Sequence, residues 1–213
     1  MSANHFPRKF LLWSVGTAAL LLAVFFTIYG ISARRGETAP LQPVVYEIIP
    51  VSPDGTPLLA EYNSRNMSLM ESGDFSSQTV RIYENGLCQL TVTLAIWNDP
   101  PELIDELAEI AEQAHVSFML SQEDLSGLTA YLKNADLEML PPDVSRQGAD
   151  GYSAYLTVYL DQRKYHSGGY LADGEQFNEI VSKIWSYVGQ EFSELRGETE
   201  EKVMEATGRA YVN

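Results

Sequence analysis

Two tyrosines and a histidine near residue 160 are the side chains best suited to contact a partner. Tyr155 and Tyr159 alternate with apolar residues between Tyr152 and Leu160, which is the pattern of a strand with one buried side. A two-residue turn at Gln162-Arg163 would pair Tyr159 with His166 on the next strand. An exposed tyrosine is a stiff amphipathic ring that buries a large area at a small entropic cost. We therefore predict that Tyr155, Tyr159 and His166 bind a partner.

The same tyrosines also have a purely structural explanation. Strands favour aromatic side chains because these pack well on a pleated surface. The rings could also lie beneath the segment 50–77, which is rich in Pro, Gly, Ser, Asp and Asn. The two explanations differ in whether Tyr155 and Tyr159 are exposed.

Carboxylates are the second group of residues that could carry chemistry. One helical segment repeats acids three and four residues apart, namely Glu102, Asp105, Glu106, Glu109 and Glu112. This repeat lacks the spacing of an EF-hand and is typical of a solvated helix face. Two carboxylates that meet in space could act as a general acid and base. None of the 29 Asp and Glu residues is singled out for that role by its sequence context.

The chain contains none of the common motifs for phosphate loops, serine nucleophiles or zinc. The patterns G-x-x-x-x-G-K, G-x-G-x-x-G, G-x-S-x-G and S-x-x-K are all absent. The three histidines are isolated in the sequence, and there is no H-E-x-x-H or C-x-x-C. The single cysteine, Cys88, lies in a strand pattern and is predicted to be a core residue. We expect no cofactor, no metal and no intrachain disulfide.

Hairpins are the first elements that must position these side chains. Strand patterns at Gln78–Tyr83 and Leu87–Ile96 flank Glu84-Asn85-Gly86. A three-residue turn with Gly86 in a left-handed conformation pairs Ile82 with Cys88 and Val80 with Leu90. This register places the apolar residues of both strands on one buried face, whereas a two-residue Asn-Gly turn would mix the faces.

Helices follow from capping residues and apolar spacing. Asp99 is predicted to cap one helix, with proline in its first turn, Ser121 to cap another, and Asp173 to cap a third. The third helix has an apolar face of Phe177, Ile180, Val181, Ile184 and Val188. A short strand is predicted at residues 116–120, between the first two helices.

These elements predict an α+β fold in the approximate order β-ββ-α-α-ββ-α. We expect a two-layer domain over residues 44–192, in which helices cover one face of antiparallel hairpins. Its leading strand would be Val44–Ile49, and residues 50–77 would be a loop with a short element. The charged residues 193–213 are predicted to be a C-terminal tail, helical or disordered.

An uncharged apolar segment, residues 10–31, is the strongest signal in the sequence. A helix of that length would extend about 33 Å, enough to cross the hydrocarbon core of a bilayer. Basic pairs flank the segment, and Trp13 and Tyr29 lie near its ends, as expected at membrane interfaces. It is longer than the apolar part of a signal peptide. We predict a transmembrane anchor, with residues 1–9 as a short tail and residues 32–43 as a linker.

Charge and topology restrict the partners. All 29 Asp and Glu residues follow Gly36, whereas four of the 14 Lys and Arg residues precede it. Such an acidic domain repels nucleic acid. The short N-terminal tail favours a cytoplasmic N-terminus with the large domain outside. Ser14 with Ala18, and Ala19 with Ala23, have a spacing that permits a homodimer through the anchor.

The combined prediction is a single-pass cell-membrane protein whose extracytoplasmic domain is a non-enzymatic interaction or ligand-sensing module. Its partners would be the lipid bilayer, through residues 10–31, and a protein or small ligand. Two alternatives remain open. One is a carboxylate-based hydrolase acting on cell-envelope material, and the other is a scaffold subunit of a membrane assembly.

Overall fold

The computed structural model describes residues 49–68, 70–97, 99–149 and 151–208. They form an α+β domain with one six-stranded antiparallel sheet and three helices. The predicted tail, anchor and linker, and all of the predicted first strand except Ile49, lie outside the described residues. None of the described helices combines the length and apolar composition of a membrane span. The elements are β1 (Leu58–Asn66), β2 (Phe75–Tyr83), β3 (Leu87–Leu94), α1 (Pro101–Gln113), β4 (His115–Met119), α2 (Gln122–Asn134), β5 (Tyr152–Leu160), β6 (Arg163–Tyr170) and α3 (Glu175–Thr207).

Strand β1 lies inside the sheet, whose order is β4-β3-β2-β1-β5-β6. The prediction that residues 50–77 form a loop with a short element is therefore wrong for residues 58–66 and 75–77, which belong to β1 and β2. A bulge between Leu58 and Ala60 interrupts the strand alternation, and the outward-facing residues, such as Asn63 and Arg65, are polar. Polar residues at every second position resemble a loop in composition, although they belong to a strand with one exposed side.

The β2–β3 hairpin confirms the predicted register. Ile82 pairs with Cys88 and Val80 with Leu90, and Gly86 has a φ of 89°. All four paired residues are completely buried. The left-handed residue lets the chain reverse in three residues while the buried face remains continuous.

The β5–β6 hairpin turns one residue earlier than predicted. Asp161 and Gln162 form the turn, with φ values of 50° and 63°, and Leu160 pairs with Arg163. His166 consequently pairs with Thr157, and the predicted pairing of His166 with Tyr159 is wrong. The partner shifts by two positions, so His166 still lies on the same side of the sheet as the tyrosines.

The main core lies between one face of the sheet and two helices. Leu128 and Leu132 of α2 and a long row of α3 side chains pack on that face. Phe177, Ile180, Ile184 and Val188 are buried as predicted. A second cluster joins α1 to the ends of β3 and α3 through Leu94, Leu107, Ile110 and Val203.

Helix α3 is 33 residues long and runs without interruption past residue 192. Of the two alternatives predicted for residues 193–213, the helical one holds for residues 193–207, which continue α3 beyond the predicted boundary at residue 192. Leu195, Thr199 and Val203 are buried at four-residue intervals. The charged residues between them occupy the exposed side of the helix, which gave this segment the composition of a tail.

One of the three predicted caps is confirmed. The Ser121 hydroxyl accepts a hydrogen bond from the Asp124 amide at 3.1 Å. The predictions for Asp99 and Asp173 are wrong, since Pro100 and Gly174 occupy the N-cap positions without side-chain caps. Asp173 instead accepts a hydrogen bond from the Asn178 side chain at 2.6 Å. The predicted short strand between α1 and α2 is confirmed as β4.

Both edges of the sheet are protected. Strand β4 is only five residues long, and short edge strands give other chains little to pair with. Along β6, the amide of Val144 donates to the Gly168 carbonyl at 3.0 Å, and that of Arg146 donates to Tyr170 at 2.8 Å. Gly169 permits this approach, because a Cβ there would collide with Ser145.

Candidate functional site

The side of the sheet opposite the main core carries the predicted binding residues. We call it the open face, and none of the described helices packs on it. Its cross-strand neighbours form rows of polar side chains. One row comprises Ser117, Gln89, Arg81, Glu61, Thr157 and His166, and the next comprises His115, Thr91, Thr79, Asn63 and Tyr155. A polar surface of this kind can lie against another macromolecule.

Tyr155 and His166 form the best-defined contact on the open face. Their rings stack with centroids 5.9 Å apart and an angle of 9° between the planes. The Thr157 hydroxyl and His166 Nδ1 are 3.0 Å apart and share a hydrogen bond. Tyr155 nevertheless remains 41% exposed. Fixed, exposed rings lose little entropy when a partner covers them.

Tyr159 is separated from this pair. It is buried in a small cluster with Leu58 and Tyr83, at the end of the sheet where residues 49–57 lie. There Pro57 pairs with Val51, and the Leu58 amide donates to Pro50. Of the three predicted residues, Tyr155 and His166 lie together at the surface, while the structural explanation holds for Tyr159.

The charge of the open face differs from that of the rest of the domain. Glu61 is the one acidic residue in the six described strands, which also contain Arg65, Arg81, Arg163 and Lys164. Arg81 pairs with Glu61 at 2.6 Å, and Arg163 pairs with Glu138 outside the sheet. Arg65 is exposed. Basic side chains therefore outnumber acidic ones on this face of a strongly acidic chain.

The acidic residues lie mainly on the helices. All five acids of the α1 repeat are exposed, which confirms the interpretation of a solvated face. No cluster of metal-binding side chains is present in the part of the chain that the structure describes. The domain thus has a basic, hydroxyl-rich sheet side and an acidic helix side. This segregation is visible in the sequence once the strands are known, and it indicates Arg65, Arg81 and Lys164 as residues that the prediction missed.

A cleft of 310 Å³ opens on the helix side of the sheet, where β1 ends and β2 begins. It is lined by hydroxyl, amide, aromatic and guanidinium groups and by no carboxylate. The lining residues are Tyr62, Ser64, Asn66, Phe75, Ser76, Ser77, Gln78, Tyr152 and Arg196. Clefts of about this volume are at the lower limit for small-molecule sites.

A second cleft of 370 Å³ lies where α3 begins. Glu175 and Glu179 line it together with Met139, Pro141 and Phe177. Two acids beside the first turn of a helix oppose anion binding, although the backbone there would favour it. The cleft therefore offers no clear class of ligand.

The surroundings of three titratable groups shift their pKa values. A hydrogen bond from Ser52 holds the pKa of the exposed Asp54 below its ordinary value. Ser145 does the same to the pKa of Asp143. A catalytic general acid requires the opposite shift. Cys88 is completely buried, which confirms the predicted core position, and burial raises the pKa of its thiol to about 12.

No protein-family model matches this sequence, and no curated protein matches it. The choice between functions therefore depends on the geometry and charge of the two surfaces.

Proposed function

We propose that the chain is a membrane-anchored extracytoplasmic interaction module, without enzymatic activity, that binds an acidic segment of another protein on its open face. The anchor in this proposal is residues 10–31, supported by their uncharged apolar sequence and by the basic pairs beside them. The observation that carries the binding proposal is the exclusion of acids from the strands. Glu61 is the one acid in the six described strands.

Charge complementarity selects the partner. The full chain has a net charge of −15, so a random acidic protein is repelled by most of this surface. Only the open face offers Arg65, Arg81 and Lys164 with a single acid between them. An acidic segment is therefore oriented toward this face as it approaches. Screening at physiological salt limits such attraction to about 8 Å, so the charges orient an acidic segment only when it is within about that distance of the open face.

The aromatic pair supplies the contact that charge alone cannot. Tyr155 is exposed and stacked on His166, and Asn63 is its cross-strand partner on β1. Rows of Thr, Asn and Gln around it can donate and accept hydrogen bonds. Aromatic rings at the centre with polar groups around them are the usual anatomy of a protein interface.

Site-specific photo-crosslinking tests this proposal directly. A photoreactive amino acid replaces Tyr155 in the full chain in its native membrane, and the matched control places it at Glu109, on the acidic side. We expect a salt-sensitive adduct from position 155 with one protein, in which the crosslinked peptide is acidic, and no adduct from position 109. An absence of any adduct at 155, or equal adducts at both positions, would contradict the proposal.

Orientation has its own test. Protease added to intact cells should remove the domain if it is extracytoplasmic, and should leave it intact until the membrane is opened if it is not. The hydrolase alternative would depend on Glu175 and Glu179, which line the second cleft and are four residues apart on α3. The scaffold alternative would need an open sheet edge, whereas both edges of the described sheet are protected.

A further inference from the structure

The cleft where β1 ends and β2 begins lies mainly on the helix side of the sheet; among its strand residues, Ser77, the cross-strand partner of Arg65, belongs to the open face. Tyr62 and Ser64 of β1 and Gln78 of β2 line one wall. Arg196 of α3 lines the opposite side. Arg196 is the one charged side chain in the lining of the cleft, which contains no carboxylate.

Arg196 is held in place before any ligand arrives. Its Nε donates to Glu200 at 2.8 Å, and its guanidinium lies over the Phe75 ring, 4.9 Å from the centroid. Its two terminal nitrogens make no hydrogen bond or ion pair with any residue that the structure describes. A planar fork fixed in this way is suited to bidentate binding of a carboxylate.

The remaining walls of the cleft suit hydroxyl groups. Burial raises the pKa of Tyr62, so its phenol remains protonated and can donate a hydrogen bond. The Gln78 amide has no partner among the described residues, and Ser64 and Asn66 lie beside it in the lining. The rings of Tyr62 and Tyr152 provide apolar surface between these polar groups. Such a mixture binds a small ring that carries several hydroxyls.

The geometry points to a binding site for a single-ring sugar acid, with the carboxylate on Arg196 and the hydroxyls on Tyr62, Ser64 and Gln78. The volume of 310 Å³ restricts the ligand to about one ring. This inference is independent of the proposed binding of an acidic protein segment, since Tyr62, Ser64, Gln78 and Arg196 all lie on the helix side of the sheet.

Calorimetric titration of the full chain in detergent micelles tests the site, with D-glucuronate and D-galacturonate as probes and D-glucose as the neutral comparison. Arg196→Gln removes the proposed carboxylate ligand. Arg146→Gln is the matched control, because it also removes one arginine that pairs with an acid, Asp173, away from the cleft. Far-UV circular dichroism of both variants checks that α3 is intact.

We expect at least one of the two acids to bind at millimolar concentration or better, at least about tenfold more tightly than glucose. Arg196→Gln should abolish that preference and Arg146→Gln should preserve it. If neither acid binds, or if glucose binds as tightly as the acids, the site is not one for a sugar acid. Equal losses in the two variants would also overturn the assignment, since they would indicate a general effect of charge.

Discussion

Val203→Ala provides a quantitative test of how α3 completes the domain. Val203 is 2% exposed and packs with Leu94, Leu107 and Ile110 in the second core cluster. It also abuts Gly73, whose missing Cβ would collide with the valine side chain. The substitution removes two buried methyl groups, each contributing about 0.8 kcal/mol of transfer free energy. The cavity that remains adds to this loss, because the neighbours relax only partly.

We expect the free energy of unfolding to fall by about 2–3 kcal/mol. Urea unfolding of the full chain in mild detergent, followed by far-UV circular dichroism, measures this change, and an unchanged dependence on urea confirms that the folded state is comparable. The matched control is Glu205→Ala, two residues further along the exposed side of α3. It should change the stability by less than about 0.5 kcal/mol.

Equal stability of the two variants would refute the packing of the last turns of α3. It would mean that residues 193–207 behave in solution as the independent tail that their charge pattern indicated. A large loss in both variants would instead point to an effect on helix formation rather than on packing.

Four further substitutions follow from the same structure. Ser167→Ala should leave the free energy of unfolding in urea unchanged or raise it by up to about 1 kcal/mol, because the buried Ser167 hydroxyl has no hydrogen-bond partner among the described residues. A fall of more than about 1 kcal/mol would contradict this prediction. Gly86→Ala should lower the free energy of unfolding by about 1–2 kcal/mol, since φ is 89° there. Gly189→Ala, in the interior of α3 with open space around it, should raise the free energy of unfolding by about 0.5–1 kcal/mol. Changes of the same sign in the two variants would be inconsistent with the backbone conformations of the turn and the helix. The pKa of Cys88 is raised by burial to about 12, so its contribution to stability is complete below the unfolded pKa, near 9, and is lost as the pH rises toward 12. Wild type should therefore lose about 1.4 kcal/mol per pH unit more than Cys88→Ala in that window, and parallel pH profiles would disprove the burial of the thiol.

The parts of the fold that the sequence predicted well are those where local and tertiary preferences agree. The β2–β3 register was predictable because Gly86 fixes the turn and the apolar residues alternate on both sides of it. The apolar face of α3 from Phe177 to Val188 was predictable from its spacing alone. In these segments the buried face and the local conformation require the same residues.

The errors occurred where one side of an element is polar. Strand β1 contains Glu61, Asn63 and Arg65 on its open side, so its composition resembled a loop. The end of α3 likewise carries its charge on the exposed side, which concealed Leu195 and Val203. Whether a polar residue faces solvent from a strand, a helix or a loop depends on neighbours that are distant in sequence.

The candidate site was predicted only in part for the same reason. Tyr155 and His166 share a face in either hairpin register, because the two registers differ by two residues. Burial of Tyr159 depends on residues 49–57, whose position beside Leu58 has no local signal. The cleft around Arg196 joins residues about 120 positions apart, such as Gln78 and Arg196, and only the folded sheet and α3 bring them together.

Reversal and rescue of charge test the open face most directly. Arg65→Glu places a second acid on that face, and we expect it to abolish the adduct formed from the photoreactive residue at position 155. Replacing acids by lysine in the crosslinked segment of the partner should then restore the adduct with the Arg65→Glu chain and weaken it with the wild type. An adduct that survives Arg65→Glu, or that the lysine substitutions fail to restore, would contradict recognition of an acidic segment by the basic face of the sheet.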